Sequence, residues 1–281
     1  ELTFFNPKAG LTWTPSETMQ GFVSAAVAHR EPARSDYLDS PQDTPLRPER
    51  LLDVEAGFKK RGERWALGAT LYNMQYTDQL VVTGQLNDVG NVVRVNVADS
   101  YRRGVELEAG LQLTSALRLD ANATLAQNKI AQFEETVYDY DDNFDYENIV
   151  VHENTDIALS PNAVAMGMLT YEAPKDGALA GLSVSLIGKH VGQQFLDNTS
   201  NEGRALAAYT TLDAVVRAEH TLPTGQALTL SVFGNNLLDA MYSATGWTYS
   251  YRYGGPESTV TENYVYPQAG RHGFVTLAVE F

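Results

Sequence analysis

Apolar and polar residues alternate with a period of two along most of this chain. In Leu117-Arg-Leu-Asp-Ala-Asn-Ala-Thr-Leu125 the odd positions are apolar, and Arg118, Asp120, Asn122 and Thr124 hold the even ones. From Val105 to Leu113, Glu106, Glu108 and Gln112 oppose an apolar set. Leu212, Ala214, Val216 and Ala218 oppose Asp213, Arg217 and Glu219. At the end of the chain Val275, Leu277, Val279 and Phe281 share one face, and Phe274, Thr276, Ala278 and Glu280 the other. Successive side chains of a strand point to opposite faces, whereas a helix would repeat every 3.6 residues. The pattern therefore predicts an all-β chain, with strands at 2–13, 19–29, 51–59, 65–82, 92–113, 117–129, 162–172, 182–191, 209–221, 227–235 and 270–281.

The connections between these segments alternate in length. Residues 14–18, 60–64, 114–116, 173–181 and 222–226 make short turns, and 30–50, 83–91, 130–161, 192–208 and 236–269 make long ones. An antiparallel up-and-down transmembrane β-barrel has this alternation, with short turns on the periplasmic side and long loops outside. A Greek-key sandwich has no reason to show it. The predicted count of about eleven is odd, while bacterial barrels close with an even number. An open sheet in lipid would leave unpaired backbone groups costing several kcal/mol each. Eleven is half of the roughly 22 strands of plugged outer-membrane transporters. Residues 1–281 are therefore expected to be the C-terminal part of a larger barrel, with no plug domain of their own.

Composition narrows the function classes. With 35 acidic and 20 basic residues the net charge is -15, which repels nucleic acid and sets that partner aside. Cysteine is absent, so there is neither a disulfide framework nor a thiolate metal site. No run approaches the roughly 18 apolar residues of a membrane helix, which leaves a barrel untouched. The first residues, Glu1-Leu-Thr-Phe-Phe-Asn-Pro7, carry no basic or apolar leader pattern, so the start is read as mature or internal to a longer chain.

Short stretches in a consistent order resemble the C-terminal barrel of TonB-dependent outer-membrane receptors, in particular those of Bacteroidetes-like lineages. They include Ala28-His-Arg-Glu-Pro-Ala-Arg-Ser-Asp-Tyr37, Pro48-Glu-Arg-Leu-Leu-Asp-Val-Glu-Ala-Gly57 and Ser100-Tyr-Arg-Arg-Gly-Val-Glu-Leu107. Val191-Gly-Gln-Gln-Phe-Leu-Asp-Asn-Thr199, Gly234-Asn-Asn-Leu-Leu-Asp239 and Tyr266-Pro-Gln-Ala-Gly270 come next in order. The resemblance implies a 22-stranded barrel in the outer membrane of a Gram-negative bacterium, plugged by an N-terminal domain that would lie upstream of Glu1. It implies active import of a scarce ligand, a ferric siderophore foremost, with energy relayed by the TonB complex through the plug. Outer-membrane lipid, the plug, TonB and a small-molecule ligand are the partners, and no cofactor is implied. A passive porin-like channel, a surface adhesin or enzyme, and a soluble all-β domain are the alternatives. No Gly-x-Ser-x-Gly elbow or Ser/His/Asp set supports an enzyme.

The external loops hold the candidate ligand contacts. Trp247, Tyr249, Tyr251 and Tyr253 form an aromatic cluster suited to stacking on an aryl ligand or a sugar, or to belt and loop packing. Arg30 and Arg34, with Tyr37, could pair a carboxylate, although an ion-pair network at the loop base is the simpler reading. Asp139, Asp141, Asn143, Asp145 and Glu147 begin like a calcium loop. Phe144 replaces the required Gly and Val150 the bidentate Glu, so a solvated acidic loop is the simpler reading there too.

Overall fold

The computed structural model describes residues 2–39, 45–87, 89–140 and 146–280. The chain runs through β1 (Lys8–Ser16), β2 (Met19–Arg30), a short helix α1 (Arg34–Asp39), β3 (Glu49–Arg61), β4 (Trp65–Leu86), β5 (Val92–Gln112) and β6 (Leu117–Asp139). It continues through β7 (Tyr146–Asp156), β8 (Ala163–Glu172), β9 (Leu182–Val191), β10 (Gln194–Phe195), β11 (Ala205–Leu206), β12 (Tyr209–Thr221) and β13 (Ala227–Asn235). It ends with β14 (Ser243–Arg252), β15 (Val260–Pro267) and β16 (His272–Glu280). Eleven strands form one antiparallel path, β1-β2-β3-β4-β5-β6-β8-β9-β12-β13-β16, which keeps to chain order without a crossover. These are the eleven segments read from the alternation, and short and long connections alternate between them except at 83–91, where β4 and β5 run on as a hairpin that pairs as far as Leu86 and Val92.

The register propagates one apolar face across the whole wall. Val275, Val232, Val216, Val184, Tyr171 and Leu117 lie side by side on successive strands. The row Ala123, Leu107, Ala69, Phe58, Gly21 and Trp13 carries the same face to β1. On the opposite face Asn122, Glu108, Gly68, Lys59 and Gln20 form a polar row, and Lys59 Nζ lies 3.2 Å from Glu108 Oε2. The apolar face is uncovered, with Leu71 62%, Val275 63% and Leu277 65% exposed. An apolar face this continuous needs an apolar medium. On β6 the outward apolar positions run over residues 117–125, a stretch spanning about 21 Å at a barrel-like tilt. That matches a lipid-facing band. Trp13, Phe58, Trp65 and Tyr171 cluster on this face near the short turns, where an interfacial girdle belongs.

The largest departures from the sequence boundaries are in β1 and β6. Residues 2–7 lie outside β1, and Pro7, which lacks an N–H, contributes only its carbonyl, accepting from Val27 N at 2.8 Å. β6 continues ten residues past Lys129 to Asp139 and pairs there with β7. The buried core of the described residues sits at this end: Val81, Val97, Ile130, Phe133 and Ile157 pack together. Among the described residues the buried apolar side chains gather here, because the wall itself gives one face to lipid and the other to the lumen.

Within the wall, Gly104 faces Tyr72 directly across β4 and β5. A Cβ on Gly104 would come within 2.4 Å of the Leu125 carbonyl oxygen and 2.8 Å of the Tyr72 hydroxyl. Gly104→Ala is expected to cost about 1–3 kcal/mol of overpacking. Denaturant unfolding of the variant in detergent checks this; an unchanged midpoint would contradict it.

Candidate functional site: an aromatic crown at the long-loop end

Three long connections fold together above the wall. In the first, β6 and β7 make a hairpin. In another, Ser243 to Pro267 form the β14–β15 hairpin, whose alternation puts Trp247, Tyr249 and Tyr251 on one face. Thr248 and Ser250 point the other way and are buried, bonding Asn263 and Thr261. β14 packs on β4 and pairs in parallel with the tip of β6, setting Tyr251 beside Tyr138 and Arg252 beside Asp139. Backbone and carboxylate bonds lock the join. Tyr140 N donates to Arg252 O at 2.9 Å, and the Asp139 carboxylate accepts from Gly254 N at 2.7 Å and Gly255 N at 2.9 Å.

The outcome is a half-exposed aromatic surface. Trp247 and Tyr264 stack across the hairpin with centroids 4.2 Å apart. Tyr249 lies 5.6 Å from Tyr251, and Tyr140 lies 6.2 Å from Tyr251 and 6.4 Å from Tyr253. The Tyr140 and Tyr249 hydroxyls are 3.3 Å apart. Burial, reinforced by the Tyr140 contact, pushes the Tyr249 phenol up to about 12, so it stays neutral at physiological pH. The Tyr264 hydroxyl donates to Glu262, and that bond raises its pKa as well. Glu262 stands directly opposite Tyr249, on the aromatic face.

The segment between β9 and β12 straps the crown to the wall. Leu196 is 1% exposed and Asn198 fully buried. Asn198 Oδ1 accepts from Ala158 N at 2.8 Å, and its Nδ2 donates to Val82 O at 2.6 Å. Gly246 lets β14 pass close by, since a Cβ there would be 2.5 Å from Tyr264 O and 3.0 Å from Leu196 Cδ2. Arg204 Nη1 donates to Asp197 Oδ2 at 2.6 Å and to Glu135 Oε1 at 2.5 Å. Burial works to lower the Arg204 pKa, but the two carboxylates outweigh it and the net shift is upward. His152 Nε2 approaches Glu135 Oε2 at 2.8 Å.

The other sequence candidates lie elsewhere. Arg30 Nη2 reaches Glu49 Oε2 at 3.1 Å and Leu80 O at 3.3 Å, at the base of its loop. Arg34 and the half-exposed Tyr37 sit on α1, which Asp36 ties to β5 through Arg94 and whose first turn it closes through Ala33 N. α1 packs on β5. Of the calcium-like set, Asp139 is committed to the two glycine amides. Asp141, Asn143, Asp145 and the side chain of Glu147 lie outside the described residues. Among the described residues no group of three or more His, Asp or Glu could hold a metal. Sequence reasoning noted Tyr264 beside the aromatic cluster and missed Tyr140 and Glu262. The alternation Trp-Thr-Tyr-Ser-Tyr from 247 was the signal for a strand inside the loop, and a strand needs a partner such as 260–267.

Three solved structures place the wall among known folds. The ferric-catecholate import receptor Fiu from E. coli K12 superposes with a TM-score of 0.64 at 16% identity, over 97% of this chain and 34% of that one. The siderophore receptor PiuA from Acinetobacter baumannii gives 0.64 at 18% identity, over 97% and 35%. The copper transporter OprC gives 0.67 at 17% identity, over 96% and 39%. The chain thus spans a little over a third of the length of these proteins, which are transport receptors rather than enzymes. No curated protein sequence matches it. These relatives do not single out a Bacteroidetes-like lineage. The family model described as "TonB dependent receptor-like, beta-barrel" matches residues 2–237. With its eleven-stranded wall, apolar outside and polar inside, the chain belongs to the TonB-dependent receptor β-barrel family.

Proposed function

We propose that this chain is the C-terminal part of an outer-membrane receptor barrel that captures a scarce ligand, a ferric siderophore foremost, on its crown. The receptor would import the ligand with energy relayed by TonB through a plug. The observation that carries the reading is the convergence of two long loops into one aromatic surface, Tyr140, Trp247, Tyr249, Tyr251 and Tyr253, strapped by a third at the end of the wall opposite the short turns. A porin needs no such surface. The polar face supports a plug: Glu55 and Glu106 lie on adjoining register rows there, as carboxylates a globular domain could seat against. Siderophore receptors among the similar structures support the ligand class, and the copper transporter widens it to metal complexes.

The test is uptake of radioactive iron by cells expressing the full receptor. Replacing Trp247, Tyr249 and Tyr251 together by Ala is expected to cut uptake about tenfold or more while the barrel still assembles, because aromatic anchors dominate such contacts. Uptake should stop when the proton-motive force is collapsed. Flux that persists without it would favour the passive channel and sink this proposal.

A further inference from the structure

We infer that the ligand presents a positive charge to this crown, and that Glu262, set among Trp247, Tyr249 and Tyr264, is its counter-ion. The inference rests on the uptake reading and names the ligand's charge class. The tyrosines and the tryptophan make the surface; the carboxylate among them fixes the sign.

Ring faces carry negative quadrupole charge and attract cations, most strongly Trp and Tyr. On β14 and β15 the stacked pair Trp247 and Tyr264 is succeeded by the pair Tyr249 and Glu262, then by Tyr251 and Val260, all on one face. A carboxylate therefore stands within a run of rings, exposed and bound only by the Tyr264 hydroxyl among the described contacts. An ammonium or guanidinium held there meets π faces and a counter-ion together. An anionic chelate meets a carboxylate. The neutral phenol of Tyr249 adds a ring face without adding a phenolate charge.

The surroundings carry the same sign. The described residues 130–140 and 146–161, which include the β6–β7 hairpin, hold six acidic residues and no lysine or arginine. Arg204 is buried between Glu135 and Asp197, and Lys129 Nζ is 3.0 Å from Asp156 Oδ2. Arg252 falls on the opposite side of β14 by alternation, and its Nε donates to Thr259 Oγ1 at 3.2 Å. A field of one sign near a binding surface raises the local concentration of oppositely charged ligands.

The test is a charge ladder on one chelate. A linear trihydroxamate with a terminal amine is used as its ferric complex in three forms: ammonium (net charge plus one), N-acetyl (neutral) and N-succinyl (minus one). Binding to the full receptor in detergent is read by quenching of intrinsic fluorescence. The cationic form should bind about tenfold tighter than the anionic one, with the neutral form between, and raising the salt should shrink the gap. Glu262→Gln, an exposed and nearly isosteric change, should narrow the gap to about threefold or less while leaving the neutral form almost unaffected. Equal affinities, or tighter binding of the anion, would overturn the inference and leave the uptake reading standing. If Glu262→Gln leaves the full gap in place, the role of Glu262 is wrong. Failure of all three forms to bind, in a receptor that also imports no ferric chelate, would overturn both.

Discussion

Replacing Arg204 with Met is expected to destabilise the crown by about 3–5 kcal/mol, the cost of leaving buried carboxylates without their cation. The Arg204 side chain is 6% exposed and those of Asp197 and Glu135 only 4% and 11%. Methionine fills similar volume, so the loss is electrostatic rather than a cavity. Asp197 would keep the Thr199 amide at 3.1 Å and hydroxyl at 2.7 Å, and Glu135 would keep His152, so the damage should fall short of removing every partner. Because the strap between β9 and β12 contacts the wall through Asn198, it should open locally while the eleven strands stay paired. Amide exchange in residues 194–206 should accelerate, and ligand binding should weaken with it. The triple variant Arg204→Met, Glu135→Gln, Asp197→Asn should recover much of the protection, since removing a whole buried ion cluster is often nearly neutral. Unchanged exchange in the single variant would show that the cluster does not hold the strap.

The wall is legible in the sequence, whereas of the crown only the ring cluster at 247–253 is, for a physical reason. A wall strand faces lipid on one side and water on the other, so its pattern is set by two solvents and repeats every second residue, as in Leu117 to Leu125. Its turns are short because neighbouring strands are antiparallel. In the crown that contrast vanishes. β6 continues through Phe133, Glu135 and Val137, where buried apolar and ion-paired positions share a face with no lipid to sort them. α1 has only six residues and is closed by Asp36 reaching back to Ala33 N, a signal too local to separate from loop chemistry. Glu262 is silent in the sequence because its meaning lies in its partner across the hairpin, and a register is not written in either strand alone. Asp139 illustrates the converse. Its spacing from other acids suggests a calcium loop, yet its carboxylate is spent on the amides of Gly254 and Gly255, 115 and 116 residues away in the chain.

The two faces of the wall yield the second large effect. Ala123 and Asn122 are neighbours in β6, at almost the same height in the wall, and they point to opposite sides of it. Ala123 lies on the apolar face beside Leu107, inside the 117–125 apolar stretch of β6. Ala123→Arg is expected to cost about 2–4 kcal/mol, the depth-dependent penalty for a cation on the lipid face of a barrel near the bilayer midplane. Asn122→Arg adds the same side chain one residue away, beside Glu108, where water and a carboxylate receive it. That variant should fall within about 0.5 kcal/mol of the parent, as surface substitutions usually do. Both are made in the full receptor and unfolded by denaturant in phospholipid vesicles, so the propensity and side-chain entropy of the added arginine are common to both. The difference isolates the medium on each side. Equal costs would mean that neither face meets lipid and would remove the barrel reading at its root. A reversed order would mean that the register places the apolar rows inside, which the exposed Leu71, Leu125, Val275 and Leu277 make untenable for a water-filled lumen.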